Sequence, residues 1–318
     1  MCTAITYTTK DHYFGRTFDW EVSYGERVIV TPRNYPLHFR CMGSLDNHYA
    51  IMGMGLVADD YPLYYDAINE KGLGIAGLNF PDNTDYKKVL DGMDNVAPFE
   101  LILWILGQCD SVQAAKALLK RINLVKIPFG EAYPLSPLHW IFADKNEAVT
   151  VECVREGIKI YDNPLGVLTN NPTFDKQMFH LNNFMHLSNE EAVNGWGEKL
   201  KLAPYSRGMG AMGLPGDWSS ASRFVRASFV KINSVSGESE EESVAQFFHI
   251  LSSVEQIRGC VLLGESANGE KLYEISHYTS CCNLDKGLYY YKTYGSNEII
   301  TVNMHEMDLD AEVLQLFS

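Results

Sequence analysis

The sequence predicts an α+β fold of stacked antiparallel sheets covered by helices. Three observations carry that expectation. Strand-like segments crowd both ends of the chain. Helical segments are fewer. No regular strand–helix–strand alternation, the mark of a parallel sheet, runs through the 318 residues.

Taken in order, Thr3 to Thr8 is rich in β-branched residues and alternates in part, and His12 to Phe18 follows after the polar pair Lys10-Asp11, so the two form a candidate hairpin. Arg27 to Thr31 and Gly74 to Phe80 read as further strands. Pro98 to Gln108 has proline at a helix start and an apolar face, and its stretch Leu101 to Leu106 reads as buried helix. Asp110 or Ser111 can cap the next helix, through Ala114, Ala115, Leu118 and Leu119. Leu138 to Ala143 and Ala148 to Val154 return to strand patterning. A third helix spans Glu240 to Ser253, with acids at the N-terminal end where the helix dipole favours them. Lys271 to Ser276, Gly287 to Thr293 and Glu298 to Val302 close the chain as strands. With no linker, repeat or low-complexity stretch, one domain over residues 1–318 is the simplest reading.

Composition narrows the partners. The net charge of −14 repels phosphate backbones and anionic membranes, and no Lys/Arg cluster overrides it, so neither nucleic acid nor membrane is expected. The start MCTAITYTTKDHYFGR lacks a basic leader and an apolar core, and no run reaches 18 apolar residues. The seven cysteines are odd in number and without CxxC spacing, which points to free thiols in a reducing, cytoplasmic setting. The nine histidines have no ligand spacing, and no metal or cofactor is expected. The 12% aromatic content suits a pocket for a large apolar ligand as well as a core.

Residues one and two are the most informative. Cys2 is small enough to permit removal of Met1, which leaves a free α-amine on the residue that carries the thiol. The reference pKa values are roughly 7.7–8.0 for the amine and roughly 8.5 for the thiol, so one residue holds a nucleophile and a general base of suitable strength. A lone cysteine is more often a small core residue. Two neighbours change the balance: Arg16, on the second strand of the hairpin, supplies a cation that favours thiolate, and Asp19 supplies an acceptor for the amine. A surface ion pair is the plainer alternative for those two.

The opening MCTAITYTTKDHYFGRTFDWE resembles the choloylglycine hydrolase family, which contains bile-salt hydrolases and penicillin V acylases. The likeness continues through NEKGLGIAGLNFP, SPLHWIFAD, NPLGVLTNNPTFD, GLPGDWSSASRFVR, FFHILSSV and YTSCCNLDKGLYYYKTY, in order and over nearly the whole chain. Within the family, the bile-salt hydrolases of gut lactic-acid bacteria are the most similar.

The resemblance implies the N-terminal nucleophile hydrolase fold, a four-layer αββα sandwich of two antiparallel sheets. It also implies roles. Cys2 matches the nucleophile, Arg16 the arginine beside the thiol, and Asp19 the carboxylate that holds the α-amine. Asn79 matches a backbone N–H donor of the oxyanion hole and Asn170 its side-chain donor, with Asn171 a one-residue ambiguity. Arg223 matches the last polar residue of the site. Each has a plainer alternative: Asn79 suits a turn, Asn170 a cap before Pro172, and Arg223 an ion pair. Phe18, Trp20, Ala58, Phe129 and Tyr133 match substrate-lining positions, although these aromatics also suit a core. The implied reaction is hydrolysis of glycine- or taurine-conjugated bile salts, in a homotetramer and without cofactor. Penicillin V acylase activity and non-enzymatic binding of bile acids or lipids are the alternatives.

Overall fold

The computed structural model of the chain describes residues 1–317. In chain order the strands of its two large sheets begin with β1 (Cys2–Thr8), β2 (His12–Trp20), β3 (Arg27–Thr31), β4 (Ile51–Ala58), β5 (Tyr61–Asn69) and β6 (Gly74–Asn79). They continue with β7 (Leu138–Ala143), β8 (Ala148–Val154), β9 (Gly157–Asp162) and β10 (Val167–Leu168). The last four are β11 (Ile275–Asn283), β12 (Leu288–Thr293), β13 (Ser296–Asn303) and β14 (Gln315–Phe317). The helices are α1 (Leu101–Leu106), α2 (Val112–Leu119), α3 (Phe174–His180), α4 (Ser220–Asn233) and α5 (Glu240–Ser252).

One sheet has six strands in the order β10-β1-β2-β11-β12-β13 and the other eight in the order β9-β8-β7-β6-β5-β4-β3-β14. Every pairing in both is antiparallel. The eight-stranded sheet is buried on both faces. Val28 and Val30, with Met52, Ile68, Leu78 and Ile141, join the apolar cluster shared with the six-stranded sheet. The alternate residues Ile29, Ile51, Ala67, Ile75 and Phe142 pack with α1 and α2. The two-residue period of a strand sorts these side chains between the faces. On the far side, α4 and α5 cover the six-stranded sheet through Phe224, Val244, Phe247 and Leu251. The layers are therefore αββα, as the resemblance implied.

Some expected boundaries shift. The helix read over Pro98 to Gln108 is a 3₁₀ turn, Pro98–Glu100, followed by α1. Asn69 caps its end by donating to the carbonyls of Leu106 and Cys109, each at 2.8 Å. Ser111, not Asp110, caps α2 by accepting the Ala114 N–H. The strand expected over Lys271 to Ser276 is two pieces. Lys271–Tyr273 pairs in a small hairpin with Leu262–Glu265, and β11 begins at Ile275 and runs to Asn283.

β4 and β5, central to the larger sheet, were not read from sequence. β4 carries Gly53 and Gly55, which weaken strand patterning. Packing explains them: a Cβ on Gly53 would sit 2.1 Å from the Asp66 carbonyl oxygen, and one on Gly55 2.3 Å from that of Leu63. α4 also escaped the periodicity, because Arg223, a charged residue, holds a buried position in it.

Candidate active site

Cys2 begins β1 and is 4% exposed. The β1–β2 hairpin sets Cys2 opposite Phe18 and Ala4 opposite Arg16, so Cys2 and Arg16 lie on one face, diagonally related. Arg16 is fully buried. Its guanidinium donates to the carbonyls of Thr17 (3.1 Å), Tyr65 (3.1 Å) and Gly77 (2.5 Å) and lies 5.3 Å from the Phe18 ring centroid. Burial pulls the Arg16 pKa down, but its acidic neighbours Cys2, Tyr278, Asp66 and Asp19 together outweigh it and hold the pKa above its usual value.

Asp19 lies three residues further along β2 and is also buried. Its carboxylate accepts from Ser276 Oγ at 2.6 Å and Thr17 Oγ1 at 3.1 Å. Its backbone pairs with Met1: the amino terminus donates to the Asp19 carbonyl at 2.7 Å, and the Asp19 N–H donates to the Met1 carbonyl at 3.0 Å. The Met1 ammonium also pairs with the buried carboxylate of Glu274. Burial lowers the pKa of this amine, against the opposing pull of Cys2 and Asp19.

With Met1 attached, the Cys2 nitrogen is a peptide N–H, and it donates to Asn170 Oδ1 at 2.9 Å. The Asn170 Nδ2 donates to the Asn79 carbonyl at 2.7 Å. Asn171 points elsewhere, to the Pro81 carbonyl at 2.8 Å. Arg223, fully buried in α4, closes the cluster. It donates to the Cys2 carbonyl (2.6 Å), Thr3 Oγ1 (2.7 Å) and Asn170 Oδ1 (2.7 Å). Burial lowers the Arg223 pKa, with Asp19 and Cys2 opposing. α4 is fixed at its start by Ser219, which caps it, and by Asp217, which accepts from Ser222 Oγ at 2.5 Å.

Beside Cys2 opens a cavity of about 390 Å³. Cys2, Arg16, Asp19 and Asn79 form its polar end. Phe18, Trp20, Phe129 and Tyr133 line the rest, and Ala58, at the end of β4, lies outside the lining. Sequence reading missed Leu56, Leu63, Tyr65, Phe99 and Leu135, which complete an apolar wall. It also missed Thr17 and Ser276, which orient Asp19. Ordinary strand alternation was the sole local signal for Leu56 and Leu63, and none existed for Ser276, 257 residues from Asp19. Phe129 packs edge-on against Phe99 and Tyr133, at centroid distances of 5.2 and 5.9 Å, so the wall is a continuous aromatic surface. This arrangement puts a thiol, a buried cation and Asn79 at one end of an apolar slot, which suits attack on a carbonyl attached to an apolar body.

Comparison with known proteins agrees with that chemistry. The chain is 56% identical over 314 residues to a bile salt hydrolase/transferase of Lactiplantibacillus plantarum, covering 99% of this chain and 95% of the relative. It is 38% identical over 318 residues to a conjugated bile acid hydrolase of Lactobacillus gasseri, covering 99% of both. A variant conjugated bile acid hydrolase from Clostridium perfringens superposes with a TM-score of 0.89 at 36% identity, over 100% of this chain and 97% of the other. A penicillin V acylase from Agrobacterium tumefaciens, at 19% identity and a TM-score of 0.75 over 99% and 90% of the two chains, shares the fold. Residues 2–317 match the linear amide C–N hydrolases, choloylglycine hydrolase family, and the chain belongs to that family.

Proposed function

We propose that the protein hydrolyses the amide bond of glycine- or taurine-conjugated bile salts, with Cys2 as nucleophile after loss of Met1. One observation carries the reading: Cys2, Arg16, Asp19 and Asn79 meet at the polar end of an apolar slot of about 390 Å³. Asn170 and Arg223 bond directly to the Cys2 backbone behind it. The slot suits a steroid body, and the polar end suits the amide that links it to an amino acid.

Removal of Met1 converts the Cys2 nitrogen from an amide donor to an amine. In the proposed cycle that amine takes the thiol proton, the sulfur bonds to the substrate carbonyl carbon, and the oxyanion is held by the Asn79 N–H and the Asn170 side chain. Such a hole contributes about 3–4 kcal/mol to the transition state. The C–N bond then breaks as the ammonium returns its proton to the leaving amine. Water, deprotonated by the same amine, releases the bile acid from the thioester. The wall of Phe18, Phe99, Phe129 and Tyr133 holds the steroid and sets the carbonyl against Cys2.

We further propose a cytoplasmic homotetramer. All seven cysteines are free thiols, in keeping with a reducing compartment. Among the described residues, no helix is long and apolar enough to cross a membrane. Met185, Val193, Trp196 and Tyr205 are each more than 80% exposed on one irregular segment, an apolar arm suited to an interface. Native mass spectrometry of the purified protein reads the assembly, and a monomer at micromolar concentration rejects the tetramer.

The test of function is a parallel assay of glycocholate, taurocholate and penicillin V, with intact-mass measurement of the same sample and a Cys2→Ala variant. Rapid release of glycine or taurine from a chain lacking Met1, abolished in Cys2→Ala at unchanged melting temperature, is expected. Penicillin V turnover alone assigns the acylase reading, ligand affinity without turnover assigns the binder, and full activity in Cys2→Ala rejects the nucleophile.

A further inference from the structure

Asp66 stands behind the site and is not part of the slot lining. It lies on β5 of the eight-stranded sheet and is fully buried. Its carboxylate reaches across to the six-stranded sheet. Oδ1 accepts from Tyr278 at 2.5 Å, and Oδ2 accepts from Tyr289 at 2.6 Å and from Ser280 at 3.1 Å. Ser280 Oγ in turn accepts the Arg16 backbone N–H at 3.2 Å, so a hydrogen-bonded chain runs from the Arg16 backbone to the Asp66 carboxylate.

Arg16 needs such a neighbour. It is a fully buried cation whose side chain bonds only to carbonyls, and one terminal nitrogen, Nη2, has no partner. A buried guanidinium without a compensating anion is costly. Asp66 and Asp19 are the carboxylates that raise the Arg16 pKa; burial raises the Asp66 pKa in turn, and Arg16 with the three hydroxyl donors opposes that rise. The other titratable groups facing Asp66 are Tyr278 and Tyr289, which donate to it, and the buried thiol of Cys282.

We propose that Asp66 is a positioning residue for the hydrolysis: its carboxylate, held by three hydroxyl groups from the opposite sheet, compensates the Arg16 charge and so sets how strongly Arg16 favours the Cys2 thiolate. This deepens the proposed function and rests on Cys2 being the nucleophile. The carboxylate draws the guanidinium's field away from the thiol. A neutral residue in its place leaves more positive potential at Cys2, and both the thiol and the adjacent amine then lose their protons at lower pH. Arg16, less well compensated, is also held less firmly beside Cys2, and kcat falls.

The experiment compares wild type, Asp66→Asn and the milder Tyr289→Phe, each confirmed by mass to lack Met1. Iodoacetamide alkylation of Cys2 is followed by peptide mass spectrometry from pH 5 to 10, alongside kcat and KM for glycocholate. The expected result is an alkylation midpoint lowered by about half a unit or more in Asp66→Asn, with kcat reduced at least about tenfold and KM little changed. Tyr289→Phe weakens the hold on the carboxylate and shifts the midpoint in the same direction by less. An unmoved midpoint in both variants, even with a lower melting temperature, makes Asp66 a structural clasp and overturns the proposal. If Asp66→Asn does not fold, the Tyr289→Phe midpoint decides alone. Wild-type protein that stays active after full alkylation of Cys2 instead sinks the nucleophile reading, a separate failure.

Discussion

Asn170 and Asn171 are adjacent and chemically identical, yet they do different things. Asn170 accepts from the Cys2 N–H and from Arg223, whereas Asn171 ties down the Pro81 carbonyl. Its amide nitrogen carries two N–H groups, of which one goes to the Asn79 carbonyl. The second is the donor proposed for the oxyanion. Asn170→Ala is therefore expected to lower kcat for glycocholate by about 100-fold or more, the cost of one oxyanion donor. Asn171→Ala, by contrast, is expected to stay within about threefold in kcat, losing one buried hydrogen bond to a carbonyl. Steady-state kinetics on the two variants checks this, and equal losses would remove the distinction. The resemblance favoured Asn170, but residue chemistry alone could not separate the two. Which of two consecutive asparagines faces the thiol depends on the path of the chain after β10.

The β1–β2 hairpin was legible because its strands are contiguous, because the first is rich in β-branched residues, and because its turn is polar. What holds it in place was not. Gly15 of β2 lies against β11, where a Cβ would approach the Ser280 carbonyl oxygen to 2.1 Å, so glycine is required for close strand approach. At the turn, His12 bonds through Nδ1 to Thr8 Oγ1 at 2.6 Å, and burial lowers its pKa to about 4. The folded hairpin thus binds a proton at this ring only near pH 4, whereas the unfolded chain binds one near 6.5. Stability from this group is complete above pH 6.5 and drains away as pH falls through that window, by up to about 3 kcal/mol at the acid end. Urea denaturation between pH 7 and 4.5 is expected to show this loss, and His12→Gln is expected to flatten it. Parallel slopes in the two proteins would assign the acid sensitivity elsewhere.

At the scale of the molecule, the amino terminus is part of the sheet packing. The Met1 backbone pairs both ways with Asp19, and its ammonium is buried against Glu274. An aminopeptidase must draw that end into its own site, so a chain that has folded with Met1 in place is expected to resist processing. The measurement takes protein made with methionine aminopeptidase inhibited and exposes it to the active enzyme, either folded or during refolding from urea. Intact mass and glycocholate turnover are expected to show Met1 lost and activity gained mainly in the refolded sample. Equal processing of the folded protein would mean that this end opens readily.

Sequence alone determined the fold class, the terminal hairpin, the helices α1, α2 and α5 and, through seven blocks in order, the family. These rest on local periodicity or on contiguous motifs. It did not determine β4 and β5, whose glycines weaken the strand pattern, or α4, whose buried arginine breaks the helical one. Only the tertiary structure decided which residues surround Cys2. Asp66 owes its partners to two sheets pressed face to face, and Ser276 meets Asp19 through the pairing of β2 with β11 inside one sheet. Both contacts join residues more than 200 positions apart. A buried polar group can be recognised only when the partners that make its burial tolerable are seen beside it.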